Sequence, residues 1–153
     1  MKFRKATEND LIAIVAMLAD DELGRQRENF SIPLPKTYIE AFRNIEADNN
    51  QELIVVEDEN SEIIGTLQLT FIPYLTYQGG TRAQIEAVRI RKDKRGMGLG
   101  KHFFKWAIQR AKDKKAHVLQ LTTDKRRPKA ISFYKSLGFK NTHEGMKIHL
   151  NND

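Results

Sequence analysis

Three glycines fall at alternate positions directly before a stretch with a helical pattern. They are Gly96, Gly98 and Gly100, in a chain that has only 9 glycines. Glycine has no β-carbon, so the backbone can turn sharply there and its N–H groups can approach a ligand closely. The N-terminus of a helix adds a positive partial charge at the same place. The segment therefore predicts a loop that binds an anion such as a pyrophosphate.

The flanking residues exclude two well-known phosphate-binding motifs. A Walker A loop would need a glycine at the position of Arg95, and a dinucleotide fingerprint would need its third glycine at Phe103. The spacing that remains is Arg95-x-x-Gly98-x-Gly100 between a strand and a helix. The alternative is a plain strand-to-helix turn with a solvated basic rim. The basic residues around the loop are Arg91, Lys92, Lys94, Arg95 and Lys101.

The composition restricts the classes of protein to consider. A length of 153 residues predicts one domain over 1–153, and 40% hydrophobic with 30% charged residues is typical of a soluble globular protein. The absence of cysteine excludes disulfides, thiolate metal sites and a cysteine nucleophile. The formal net charge of +6 favours an anionic partner, either nucleic acid or a phosphorylated cofactor. Alternatively, the excess of basic residues only makes the surface soluble.

No segment has the pattern of a membrane anchor or a secretory signal. The longest apolar run, LIAIVAML at 11–18, is too short to cross a bilayer, and the first ten residues lack an apolar signal core. The 4 histidines show no spacing typical of metal ligands. We therefore expect a cytoplasmic protein without a metal and without membrane contact.

The hydrophobic pattern alternates between strand-like and helix-like segments. Apolar residues recur at helical spacing in 8–20 and 36–47, and the segment 52–72 is typical of two strands joined by a turn. A central strand–helix–strand unit covers 84–123 and contains the glycines. We predict strands at 2–6, within 52–72, at 82–92, 117–123 and 146–150, and helices at 8–20, 36–47, from the glycines to Lys115 and at 128–138.

Two segments resemble the motifs of the GNAT superfamily of acyl-CoA-dependent N-acetyltransferases. The principal family motif is a strand, then R/Q-x-x-G-x-G/A, then a helix, and EAVRIRKDKRGMGLGKHFFKWAI at 86–108 matches it. A second family segment is matched by AISFYKSLGF at 130–139. The order of elements agrees from residue 2 to residue 150. The resemblance implies a mixed α/β (α+β) GNAT-like fold, with a twisted, mostly antiparallel sheet of six to seven strands, about four helices and splayed central strands.

The resemblance also implies how acetyl-CoA binds. Backbone N–H groups of the glycine loop hold the coenzyme A pyrophosphate, and the backbone of Val88 and Ile90 pairs with the pantetheine arm. Arg127 stands where many members carry an asparagine that contacts pantetheine, so we expect Arg126 or Arg127 to reach a phosphate instead. The loop residues assigned to the cofactor in this way are Arg95, Gly96, Met97, Gly98, Leu99, Gly100 and Lys101.

Two residues match catalytic positions of the family. Tyr134 corresponds to the tyrosine that protonates the departing thiolate, and Glu86 lies where members often place a carboxylate that accepts the amine proton, directly or through water. By its helical spacing with Phe133 and Leu137, Tyr134 could instead be a packed aromatic, and Glu86 could be an exposed strand charge. Because the chain has no cysteine, the implied reaction is direct acetyl transfer to an amine in a ternary complex.

The resemblance places the acceptor side at the segment between the first two helices and at PYLTYQGG. Its acidic residues would receive a cationic amine, such as a polyamine, an aminoglycoside or a peptide N-terminus, and Tyr74 and Tyr77 would stack on it. Alternatively, all of these are ordinary solvated loop residues. The acidic residues are Asp20, Asp21, Glu22 and Glu28.

The expected partners are acetyl-CoA and an amine acceptor, with no nucleic acid, in a monomer or homodimer. Two rival functions stay open. One is a catalytically inactive acyl-CoA-binding sensor domain, and the other is a basic nucleic-acid-binding module that uses RIRKDKR and KDKRRPK.

Overall fold

A five-stranded sheet forms the centre of the computed structural model, which describes residues 1–150. The strands lie side by side in sequence order: β1 (Lys2–Lys5), β2 (Gln51–Glu57), β3 (Ile63–Pro73), β4 (Thr81–Ile90) and β5 (Val118–Gln120). The first four pair antiparallel, whereas β5 is parallel to β4. A long helix follows the glycines and connects β4 to β5. This is the strand–helix–strand unit that the sequence predicts.

Helices cover both faces of the sheet. Of the helices, α1 (Leu11–Leu18) and α3 (Lys36–Ala47) pack on one face, and α5 (Leu99–Asp113) and α6 (Pro128–Ser136) pack on the other. In β2, Ile54 and Val56 belong to the core under α5, while Val55 belongs to the core under α1. Burial on both faces explains the continuous apolar run in this strand. The two remaining helices are short: α2 (Glu22–Arg27) and α4 (Thr76–Gly79).

The start of the predicted helix at 8–20 is a 3-10 turn, Glu8–Asp10, that leads into α1. The backbone N–H of Thr7 donates to the Asp10 carboxylate at 2.7 Å, as in a capping box. The Asp10 carboxylate also accepts two hydrogen bonds from Arg4 in β1, at 2.7 and 3.0 Å. The cap therefore fixes the entry of α1 against the edge of the sheet.

The structure corrects the expected numbers of elements. In place of six to seven strands and about four helices, residues 1–150 contain five strands and six α-helices, two of them the short α2 and α4. The strand predicted at 117–123 is only Val118–Gln120, and the other predicted helices and strands up to residue 138 are confirmed within a few residues.

The predicted closing strand at 146–150 is wrong. Its alternating residues Met146, Ile148 and Leu150 are 93%, 83% and 86% exposed, and no strand is present there. Alternation produces a strand only where a neighbouring strand supplies hydrogen bonds and a surface to pack on. No strand within residues 1–150 pairs with this segment.

Neither a membrane span nor a metal centre is found in the part of the chain that the structure describes. None of its helices is both long and apolar enough to cross a bilayer. No three of its histidine, aspartate and glutamate side chains lie together in a way that could hold a metal ion.

Candidate active site

Strands β4 and β5 separate after three paired positions. Residues 82–84 pair with residues 118–120, and no pairing follows, although β4 continues to Ile90. Within residues 1–150, the edge of β4 from Glu86 to Ile90 is therefore open on the side of β5. This is the separation of central strands that the resemblance implies. It leaves backbone N–H and C=O groups that an extended ligand can pair with.

A β-bulge lies in the open part of β4. The register of β3 against β4 shifts between Thr66 and Gln68, whose partners are Arg89 and Glu86. One residue of β3 thus faces two of β4, and the first of these, Ala87, has a φ of +52°. A bulge bends its strand and resets which side chains face each side of the sheet. The alternation read from the sequence of β4 therefore does not extend through the bulge.

The glycine loop presents a row of free backbone donors. The N–H groups of residues 96–100 donate to no acceptor within residues 1–150, and the next N–H, of Lys101, donates to the carbonyl of Gly98 at 3.2 Å. Gly96 and Gly98 have φ values of +79° and +75°, which strongly favour glycine. Gly98 directly precedes the 15-residue helix α5. Free donors at a helix N-terminus suit a phosphate group, so the loop fits the predicted pyrophosphate.

The three glycines differ in what surrounds them. A β-carbon on Gly96 or Gly98 would meet no atom within 4 Å, so both positions border open space. A β-carbon on Gly100 would lie 3.2 Å from the ring of Phe133 in α6. Gly100 therefore allows close packing of α5 against α6, whereas Gly96 and Gly98 shape the loop.

Several basic side chains of the loop are already paired. Arg95 donates to the carbonyl of Ile90 at 2.9 Å and to Asp20 at 2.8 Å, so its side chain ties the loop to the end of β4. Arg91 binds Asp93 and Glu62 at 2.7 and 3.0 Å. These pairs neutralise much of the basic rim that the sequence predicts would attract an anion. Lys92 and Lys101 form no ion pair with any residue in 1–150.

The remaining residues assigned to the cofactor lie along the open edge or beside it. Val88 and Ile90 are half-buried in β4, and Leu99, at the start of α5, packs with them against the core. Met97 is 65% exposed at the tip of the glycine loop. Arg127 is the N-cap residue of α6, and its side chain faces α2 across a small cavity.

The two residues assigned to catalysis have contrasting surroundings. Tyr134 is half-buried in α6, and its ring centroid lies 5.4 Å from that of Phe104 and 6.1 Å from that of Phe139. Its hydroxyl forms no hydrogen bond with the described residues, whereas the hydroxyls of Tyr38 and Tyr74 do. Glu86 is exposed on β4, and its carboxylate accepts a 3.4 Å hydrogen bond from Gln84.

Three of the four acidic residues on the expected acceptor side are paired within the protein. Asp20 binds Arg95, and Glu28 accepts hydrogen bonds from Arg27 at 3.0 Å and from Tyr38 at 3.0 Å. Asp21 accepts from the backbone N–H of Gly24 and lies 3.3 Å from Arg89. Burial raises the pKa of Asp21, but the Gly24 hydrogen bond and the neighbouring arginines outweigh it and lower that pKa overall. These three carboxylates are therefore not free to receive a cationic amine.

The two acceptor-side tyrosines form a cluster with a histidine that the sequence does not single out. The rings of Tyr74 and Tyr77 pack against each other with centroids 5.9 Å apart, and Tyr77 stacks on His117 at 4.6 Å. The Tyr74 hydroxyl also contacts His117 Nε2. These residues lie at the beginning of β4 and β5, at the opposite end of β4 from the glycine loop.

A family model described as the acetyltransferase (GNAT) family matches residues 16–139. The chain belongs to the GNAT family. The matched residues include the glycine loop, the open edge of β4 and Tyr134. The predicted family and the overall class of fold are thereby confirmed.

Proteins of several organisms are similar to this chain. A curated relative, the uncharacterized N-acetyltransferase ycf52 of Pyropia yezoensis, is 33% identical over 95 residues, which is 62% of this chain and 49% of the relative. The chain thus spans about half the length of the curated relative that it matches. A solved structure of a transcriptional regulator from Bacillus halodurans is 54% identical, with a TM-score of 0.93 over 97% of this chain and 99% of that one.

A further solved structure is described as a predicted acetyltransferase with acetyl-CoA from Clostridium acetobutylicum. It is 25% identical, with a TM-score of 0.73, over 97% of this chain and 96% of that one.

Proposed function

We propose that this GNAT protein transfers the acetyl group of acetyl-CoA to a primary amine of a small molecule or peptide. The observation that supports this most directly is the row of free N–H groups at residues 96–100, beside the open edge of β4. The loop offers donors for a pyrophosphate, and the strand edge offers partners for the amide groups of an extended arm. Open space at Gly96 and Gly98 leaves room for such a ligand.

The roles proposed for individual residues follow from their positions. Glu86, exposed beside the bulge, accepts the proton of the attacking amine directly or through water. A backbone N–H near Val88 stabilises negative charge that develops on the thioester oxygen. The free hydroxyl of Tyr134 gives a proton to the leaving thiolate. Since the chain has no cysteine, the amine attacks the thioester directly.

Release of free thiol from acetyl-CoA across a panel of amines tests this function. We expect release with at least one amine, and a raised thermal stability with CoA alone, because a ligand that binds only the folded state stabilises it. No change in Tm at about millimolar CoA would contradict the coenzyme assignment. CoA binding without acetyl transfer to any amine would contradict the proposed enzymatic activity.

The second candidate is an acyl-CoA sensor without catalytic activity. The Bacillus halodurans relative is described as a transcriptional regulator, which keeps this candidate open. A sensor would bind acetyl-CoA, release no thiol and change its affinity for a partner when the coenzyme binds. The thiol-release panel, run beside a DNA-binding assay at several salt concentrations, separates the two candidates.

A further inference from the structure

Arg89 is a largely buried cation, and one of its hydrogen-bond donors has no partner in residues 1–150. It lies on β4 directly after the bulge, and its side chain is only 14% exposed. Its Nη1 donates to the carbonyl of Val88 at 3.0 Å, and its Nη2 lies 3.3 Å from Asp21, but its buried Nε has no hydrogen-bond partner in the described chain. A buried donor without a partner is costly, so a further acceptor near this group would be favourable.

Asp21 lies near three arginines but pairs with only one of them, Arg89. Besides Arg89, the side chains of Arg127 and Arg27 both act on its carboxylate. Arg27 is itself paired with Glu28 at 3.0 Å, whereas Arg127 forms no ion pair within residues 1–150. Arg89 therefore pairs with Asp21, whereas Arg127 acts on that carboxylate only from beyond ion-pair distance. Burial lowers the pKa of Arg89, and although Asp21 opposes this, Arg127 and Arg27 lower it further.

A cavity of about 350 Å³ opens at this place, between α2 and the loop that leads into α6. Arg126 in its wall pairs with Asp124 at 2.7 Å, whereas Arg127 and Glu22, which also line it, form no ion pair within residues 1–150. The wall therefore carries both signs of charge. The lining residues are Asp21, Glu22, Leu23, Gln26, Arg126 and Arg127.

We propose that this cavity binds an anionic group, a carboxylate or a phosphate, that the acceptor amine carries, and that Arg127 recognises it. The proposal rests on the proposed acetyl transfer and names its substrate class: amines that also bear an acid group, such as amino acids or phosphorylated amines. An amine that also bears an acid group can pair that group with Arg127, whereas a polyamine has no group that could do so. The phosphates of the coenzyme have a separate set of donors in the glycine loop.

Inorganic phosphate is the first probe, titrated by calorimetry into protein saturated with CoA so that the glycine loop is already filled. We expect binding that Arg127→Gln weakens about tenfold or more, the size of a lost hydrogen bond between charged groups. Arg25→Gln makes the same change of charge on the exposed side of α2, outside the cavity, and should leave phosphate binding unchanged. The affinity for CoA should be the same in all three proteins, because Arg127 here contacts the acceptor and not, as the resemblance implies, a phosphate of the coenzyme.

Acceptor selectivity is the second readout. In thiol-release assays, an amino acid should be preferred to its amide by about tenfold or more in kcat/KM, and Arg127→Gln should remove the preference mainly through KM. The proposal is overturned if phosphate competes with CoA through Arg127, since Arg127 then serves the coenzyme. It is equally overturned if amides or polyamines are preferred. If phosphate binding depends on Arg127 but no amine is acetylated, the proposed anion site is supported and the proposed acetyl transfer is contradicted.

Discussion

The guanidinium of Arg95 joins the glycine loop to the end of α1, because its Nη2 lies 2.8 Å from Oδ2 of Asp20. The next residue, Asp21, is 3.3 Å from Arg89 in β4. Two adjacent carboxylates thus hold the segment between α1 and α2 against the loop and against the open strand. This segment is the expected acceptor side, so both sides of the site are tied together through Asp20 and Asp21.

Loss of the Asp20 carboxylate should weaken coenzyme binding without unfolding the protein. In Asp20→Ala, Arg95 keeps its hydrogen bond to Ile90 but loses its anionic partner, and the loop becomes less ordered. We expect the CoA dissociation constant to rise several-fold and the free energy of unfolding to change by less than about 1 kcal/mol, since the pair is partly exposed. Calorimetric titration measures the first and urea unfolding the second. Glu40→Ala, an exposed change on α3, is the control, and equal CoA affinity in both variants would contradict this role of Asp20.

Valine at Gly98 and valine at Gly100 should have different effects. Gly98 borders open space but has a φ of +75°, so Gly98→Val strains the loop, moves its N–H groups and should abolish CoA binding in a protein that still folds. Gly100→Val places atoms against Phe133, so its main effect should be a loss of stability of about 1–3 kcal/mol. Circular dichroism melts and CoA titrations separate the two effects. Full CoA affinity in Gly98→Val would place the phosphate site elsewhere.

Replacement of Glu86 tests its proposed role as the base. Glu86→Gln keeps the size of the side chain and its exposed position on β4, but it cannot accept a proton. We expect kcat to fall about 10²–10⁴-fold and the rise of rate with pH to flatten. A full pH–rate profile with any accepted amine is the measurement. If the variant keeps the wild-type profile, then water or another residue takes the proton.

Removal of one oxygen tests Tyr134. In Tyr134→Phe the ring keeps its contacts with Phe104 and Phe139, and no hydrogen bond within the described chain is lost, so stability should change little. We expect kcat to fall about 10²-fold, at the low end for a general acid, because a thiolate is a good leaving group that can depart before it is protonated. The acetyl-CoA dissociation constant, measured in parallel, should stay the same. Normal turnover in this variant would make Tyr134 a core residue.

Glu52 predicts a pH dependence of stability. Its side chain is 2% exposed in β2 and accepts hydrogen bonds of 2.9 and 2.6 Å from Arg110 of α5. Burial raises the pKa of Glu52, but Arg110 and Lys114 outweigh it and lower that pKa below its usual range. The folded state therefore holds the Glu52 proton less tightly than the unfolded state does. The contribution of ionised Glu52 to the free energy of unfolding is full above about pH 4.3, the pKa of an unfolded glutamate, and is lost as the pH falls below it.

Urea unfolding at pH 7 and at pH 3 measures this contribution. Glu52→Gln should lower the free energy of unfolding by about 1.5–3 kcal/mol at pH 7 and by much less at pH 3. The same difference between variant and wild type at both pH values would show that the Glu52 carboxylate does not titrate differently in the folded protein.

Short-range patterns in the sequence were enough to predict most of the elements around the candidate site. The glycine spacing predicted a sharply turning loop directly before α5, and the apolar periodicity predicted the strand–helix–strand unit around it. These features depend on residues a few positions apart, where β-carbon sterics and hydrophobic spacing act directly. For the same reason the helix at 36–47 and the hairpin of β2 and β3 were predicted with nearly correct bounds.

Other features depend on partners that are distant in sequence, and only the tertiary structure decides them. Asp20 and Arg95 are 75 positions apart. The sequence predicts that Asp20 receives the acceptor amine, but in the structure it pairs with Arg95 of the glycine loop. The bulge at Ala87 turns Arg89 toward Asp21, which strand alternation does not indicate. The alternating segment at 146–150 forms no strand, because alternation specifies a face and not a neighbour. Burial, ion pairing and strand pairing are set by what packs nearby, and a local pattern contains no information about that.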